Sequence, residues 1–241
     1  MYMRRTLLFI SCCLLTAFQV VQAQRIRENF DFDWQFHLGE CVEAVNPNYV
    51  PTQWEWEKVQ LPHDWSIYLP FEVSAGGSSG YLPGGIGLYR KEFYVPSSYK
   101  GKKISIVFDG IYHKATIYIN GNKVGYHRYG YTSFEYDLTD YMEFGKNNVI
   151  FVHVDHAEES RWYTGSGIYR HAWLQITDPI HVATWGTYIT TPEISEESAN
   201  VNIVTSIVNS TDTDKQLKVV QTLVGKDGKS LKIDGKKVSV E

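Results

Sequence analysis

Over most of the chain hydrophobic and polar positions alternate, the period of a strand with one face against a core. Ile104-Ser105-Ile106-Val107-Phe108 and Thr116-Ile117-Tyr118-Ile119 read as strands, because β-branched and aromatic residues suit a pleated, half-buried surface. Asn120-Gly121 follows the second run and predicts a type I′ turn, in which both central residues need positive φ. Lys123-Val124-Gly125-Tyr126 is then the returning strand. From Asn148 to Asp155, Val149, Phe151 and His153 fall on one face, and Ile150, Val152 and Val154 on the other. Both faces are largely apolar, which predicts a central strand of a sandwich. His171 to Ile176 is the next strand. Helical periodicity never runs beyond about three turns, so no strand–helix–strand units are expected.

Two long loops interrupt this pattern. Asn46 to Trp56 is polar and carries Trp54 and Trp56, which would share a face in an extended segment and form either a sugar platform or a cover for an open sheet. Ser66 to Leu88 holds Gly76, Gly77, Gly80, Gly84, Gly85 and Gly87, without the Gly-Lys-Ser/Thr ending of a phosphate loop. A domain boundary is expected near Asp178-Pro179, where aromatic residues give way to Thr, Val, Ser and Asn. Before it lies one aromatic-rich β domain of jelly-roll size. After it, Val182 to Thr190, Asn200 to Asn209, Gln216 to Val224 and Lys237 to Val240 are expected strands, with a turn at Gly225-Lys226-Asp227-Gly228. Four strands are fewer than the seven or so of an immunoglobulin-type sandwich, so the second domain is expected to be partial.

Residues 1–23 have the pattern of a signal peptide: Arg4 and Arg5, an apolar run from Leu7 to Ala17, and Val21-Gln22-Ala23 at the cleavage position. Cys12 and Cys13 lie inside that run without the small residues that precede a lipoprotein cysteine. An exported protein, periplasmic or extracellular, is therefore expected, with no membrane anchor after cleavage. Losing the two leader arginines takes the formal charge from −4 to −6, a mild acidity that argues against nucleic acid. Cys41 alone then remains, so no internal disulfide can close. Stability must come from burial, for which 43% hydrophobic and 15% aromatic residues provide the material.

The chemistry concentrates in Ser160-Arg161-Trp162-Tyr163-Thr164-Gly165-Ser166-Gly167-Ile168-Tyr169-Arg170, a glycine-shaped loop with two arginines and three aromatic rings. Flat rings offer apolar surface to the C–H faces of a sugar, and guanidinium forks offer paired donors to its hydroxyls. Arg161 and Trp162 fit a sugar contact; they equally fit an interdomain ion pair and a packed indole. Asp64 fits acceptance from a sugar hydroxyl, or a turn cap through a backbone N–H two residues on. His153, Asp155 and His156 do not converge as metal ligands, because Asp155 and His156 point to opposite faces of a strand. They read as a polar strand end.

Four motifs in order then resemble glycoside hydrolase family 2. Leu61-Pro62-His63-Asp64-Trp65 is similar to an element of that family, as are the glycine-rich run Gly80 to Lys91 and the hairpin around Tyr118-Ile119-Asn120-Gly121 with Phe108-Asp109-Gly110 before it. Arg161-Trp162-Tyr163 with Gly165 to Arg170 completes the set. The resemblance implies an all-β chain: a sugar-binding jelly roll at residues 24–180, then the start of an immunoglobulin-like domain at 181–241. In the family a TIM barrel carries the nucleophile and acid/base glutamates of retaining hydrolysis. No strand–helix alternation here corresponds to that barrel, so no catalytic residue is expected in this chain. What the resemblance implies instead is a non-catalytic portion of a β-galactosidase-like enzyme, lending loops to a carbohydrate pocket through Arg161, Trp162, Tyr163, Asp64 and Trp65. No cofactor is implied, and an ion or an oligomer stays open. The alternatives are a free-standing, lectin-like carbohydrate-binding module and a structural module that docks a partner.

Overall fold

The computed structural model describes residues 24–157 and 161–231; the expected leader and the expected strand Lys237 to Val240 lie outside the described residues. Twelve strands follow one another: β1 (Arg25–Asn29), β2 (Trp34–Leu38), β3 (Glu57–Val59), β4 (Gly85–Val95), β5 (Lys103–Phe108), β6 (Ala115–Ile119), β7 (Asn122–His127), β8 (Phe134–Asp137), β9 (Lys146–His156), β10 (Ala172–Thr177), β11 (Ile180–Ile194) and β12 (Ala199–Asn209). Only short 3-10 turns accompany them among the described residues. The first ten strands make two antiparallel sheets, ordered β1-β10-β5-β8 and β3-β2-β4-β9-β6-β7, the two layers of a jelly-roll sandwich.

The core lies between the sheets. Ile104, Ile106 and Leu174 from the smaller sheet meet Ile117, Ile119, Ile150, Val152 and Val154 from the larger. β9 is central, pairing with β4 along one edge and β6 along the other, as its two apolar faces predict. Its outer face has a separate explanation: Phe151 packs with Leu88, Trp56 and Ala44 in a second cluster, roofed by the 41–56 loop. Trp54 and Trp56 therefore do not share a face. The amides of both Glu55 and Trp56 donate to the Thr52 carbonyl, so the segment turns instead of extending. Trp56 goes under the roof and stacks on His37, while Trp54 is left exposed.

The Asn120-Gly121 turn has φ of 48° and 81°, the left-handed pair its sequence predicts. Asn120 also locks the hairpin to β9, its Oδ1 accepting from the Val149 amide at 2.9 Å and its Nδ2 donating to Asn148 Oδ1 at 2.7 Å. At the sandwich edge, buried Asp31 accepts from His171 Nδ1 at 2.7 Å and from the Ala172 amide at 2.9 Å, joining the β1–β2 connection to β10. Lys91 enters the core side of β4, where its ammonium donates to the carbonyls of Phe30 and Phe32 and lies 3.8 Å from the Phe30 ring centroid. Burial lowers its pKa to about 8.

β11 and β12 form a two-stranded antiparallel ladder with breaks in register after Val182 and Thr190. From residue 210 on, the described residues form a separate unit. Its Gly225–Gly228 turn closes as expected, with the Gly228 amide donating to the Gly225 carbonyl and a bridge between Val224 and Ser230. The strand expected at Gln216 to Val224 is not formed: apart from that bridge at Val224, the segment is irregular.

Candidate functional site

Two loops a hundred residues apart meet at Asp64. Its Oδ1 accepts from the Ser66 amide at 3.0 Å, closing an Asx turn, and from the Ser166 amide at 2.9 Å. Its Oδ2 accepts from the Tyr163 hydroxyl. A carboxylate has about four acceptor positions. Among the described residues three are used, two on Oδ1 and one on Oδ2. The turn-cap reading of Asp64 is met by Oδ1, and Oδ2 binds the Tyr163 hydroxyl. The Tyr163 hydroxyl is held above its ordinary pKa, first by burial and then by Asp64, so it stays protonated as a donor.

The glycines make this meeting possible. Gly167 has φ of +102°, and a Cβ there would lie 2.1 Å from the Tyr89 hydroxyl and 3.0 Å from the His63 carbonyl. Its N–H and C=O pair with the backbone of Tyr112, while the His63 amide donates to the Ile168 carbonyl at 2.8 Å. Gly165, at φ +76°, passes so close that a Cβ would lie 3.0 Å from Asp64 Oδ2.

Behind Asp64 runs a polar chain. The Ser66 hydroxyl donates to the Pro83 carbonyl at 2.7 Å and meets the Ser166 hydroxyl, which in turn lies 2.6 Å from His156 Nδ1. Thr164 Oγ1 is 3.4 Å from His156 Nε2. Burial, then the neighbouring His113, lowers the His156 pKa to about 4, so the ring is neutral at pH 7. The unfolded ring has its ordinary value of about 6.5. Between these values the unfolded state binds more protons, so stability is present above pH 6.5 and falls toward pH 4. Urea titrations at pH 7.0, 6.0 and 5.0 should show the midpoint dropping, and His156→Gln should flatten that slope. An equal slope in the variant would show that another group is responsible.

The indoles of the two motifs have opposite placements. Trp65 is buried, stacked on Phe36 with centroids 5.6 Å apart, and its Nε1 donates to the Gly84 carbonyl at 3.1 Å. A Cβ on Gly87 would come within 2.3 Å of its ring. Trp65 therefore backs the site and offers no face to a ligand. Trp162 is 58% exposed, and its Nε1 donates to the Tyr131 hydroxyl at 3.0 Å. Arg161 is exposed beside it. Tyr169 is held against the same loop, its hydroxyl donating to the Gly130 carbonyl at 2.8 Å. Tyr129 and Tyr131 extend the aromatic surface, their centroids 5.7 Å apart, and the buried Tyr112 backs Tyr131 at 5.4 Å. Sequence reasoning missed these tyrosines; the signal was the run Tyr126 to Tyr131, three tyrosines among polar residues in a hairpin exit. Among the described residues no group of His, Cys, Asp and Glu is arranged to hold a metal ion.

Residues 23–179 match the family described as glycosyl hydrolases family 2, sugar binding domain. The chain belongs to glycoside hydrolase family 2. Within that family it is 44% identical over 211 residues to the β-galactosidase BoGH2A of Bacteroides ovatus, covering 86% of this chain and 25% of the relative. It is 32% identical over 247 residues to a β-glucuronidase of Formosa agariphila, covering 92% of this chain and 25% of the relative. A crystal structure of a family 2 member from Bacteroides cellulosilyticus superposes with a TM-score of 0.74 at 38% identity, over 85% of this chain and 27% of that one. The chain thus spans about a quarter of the length of the curated relatives it matches. It corresponds to the family's non-catalytic, sugar-binding N-terminal portion.

Proposed function

We propose that this chain serves an exported, retaining β-glycosidase of the β-galactosidase type, closing one side of its substrate pocket with the Asp64–Tyr163–Trp162 edge. The observation that carries the reading is the Asp64 carboxylate. Two backbone amides fix its orientation, and its other oxygen holds the hydroxyl of Tyr163, the neighbour in the chain of the exposed Trp162. That arrangement can receive one sugar hydroxyl while Trp162 covers the adjacent C–H face. Chemistry would come from elsewhere in such an enzyme; this part holds the sugar in register for it. Export rests on Arg4, Arg5, the apolar run from Leu7 and Val21-Gln22-Ala23. The β-galactosidase type rests on the 44% identity to the Bacteroides ovatus relative.

The test is a chimera in which this chain replaces the matching first quarter of that β-galactosidase. It should hydrolyse p-nitrophenyl β-D-galactoside, and Asp64→Asn should lower kcat/KM by about tenfold or more, as loss of a charge-assisted hydrogen bond does. An active chimera indifferent to Asp64→Asn would refute the pocket role. So would a chimera that melts in one cooperative transition and has no activity.

A further inference from the structure

We infer that the aromatic surface beside Asp64 is a distal subsite for the second and later sugar units of an extended glycan. This rests on the pocket reading above and concerns what lies outside that pocket. From Trp162, next to Tyr163 in the chain, the surface continues to Tyr131 and Tyr129, joined by the indole N–H on the Tyr131 hydroxyl and by the edge-on Tyr129–Tyr131 contact. They are 58%, 42% and 59% exposed. A single exposed ring is ordinary; a contiguous exposed run marks a binding surface.

The composition of the path identifies its occupant. Every ring carries its own polar atom, the indole N–H of Trp162 and the hydroxyls of Tyr131 and Tyr129. Arg128 and Arg161 are exposed next to Tyr129 and Trp162 in the chain, and neither has a carboxylate partner among the described residues. A protein partner's apolar face would meet this mixture poorly. The nearby loop shows the contrast, since Ile67, Phe71 and Val73 expose aliphatic and plain aromatic surface there. A glycan alternates C–H faces with hydroxyl edges and matches rings edged by N–H and O–H groups. One sugar is accounted for at Asp64, Tyr163 and Trp162, so Tyr131 and Tyr129 beyond them serve the units that follow.

The whole chain should be titrated calorimetrically with galactose and β-1,4-galactotetraose, and with glucose and cellotetraose. In at least one series the tetraose should bind about tenfold more tightly than the monosaccharide, the gain expected from an added aromatic contact. Tyr129→Ala, at an exposed position outside the Asp64 contact, should abolish that ratio and leave the melting temperature unchanged. Equal affinity for both lengths in both series, or an unchanged ratio in Tyr129→Ala, would overturn the subsite. If the chimera responds to Asp64→Asn while length dependence is absent, this inference alone falls. If neither responds, the pocket reading falls with it.

Discussion

Gly167→Ala is expected to destabilise the sandwich by about 3 kcal/mol or more, with the Asp64 site lost in the same step. The backbone at φ +102° suits glycine alone, and the added methyl would meet the Tyr89 hydroxyl at 2.1 Å, the His63 carbonyl at 3.0 Å and the Trp65 ring at 3.0 Å. None of these can retreat. Tyr89 and Trp65 are core residues, and the His63 segment is bonded to Ile168. The loop would have to leave, taking the Ser166 amide away from Asp64. For a unit of this size each kcal/mol moves the melting temperature by about 2–4 °C, so a fall of roughly 6–12 °C should be visible by near-UV circular dichroism. A variant melting with the parent would show that the loop tolerates the methyl and that the glycine is not required.

Trp65→Ala should cost about 3–5 kcal/mol, the range for emptying a large aromatic site in a packed core. Trp162→Ala should cost under about 0.5 kcal/mol, because its ring stands in solvent. The pair separates a ring that supports the site from one that forms its surface. Urea denaturation of both variants gives the answer directly. A small loss for Trp65→Ala would mean that the cavity collapses around Phe36 and Gly87, and that the indole is not what holds the two loops together.

The contrast between these two indoles also shows where reading the chain succeeds and fails. The strands were legible because alternation reports burial locally: Ile150, Val152 and Val154 face the core as their spacing says. The Asn120-Gly121 turn was legible because few other dipeptides accept two positive φ values. Asp64 and Tyr163 were legible as candidates, and the structure brings them together. Which tryptophan faces solvent was not legible, since Trp65 and Trp162 both sit in glycine-rich surroundings and the deciding partners, Phe36 and Tyr131, lie about thirty residues away from each. The shared face of Trp54 and Trp56 failed for a local reason, the Thr52 carbonyl taking two amides and turning the segment, while the sheet-covering alternative holds for Trp56 alone. Gln216 to Val224 failed for a non-local one. Its Leu217, Val219 and Val220 satisfy a strand pattern, but a strand also needs a neighbouring ladder, which the pattern does not report, and among the described residues the bridge of Val224 to Ser230 is what forms there.

β1 pairs with β10, and at the foot of that ladder the Gln24 amide donates to Asp178 Oδ2 at 2.8 Å while the Asp178 amide donates back to the Gln24 carbonyl at 3.3 Å. The path through the sandwich thus leaves from the place where it arrives. Topologically the ten strands are a ring cut at one point, and the cut can be moved. A short linker between residues 178 and 24, with new ends opened in the solvent-facing Asn120-Gly121 turn, would keep every strand pairing of both sheets. The same closeness of ends makes this a domain that can be inserted into a loop of another protein.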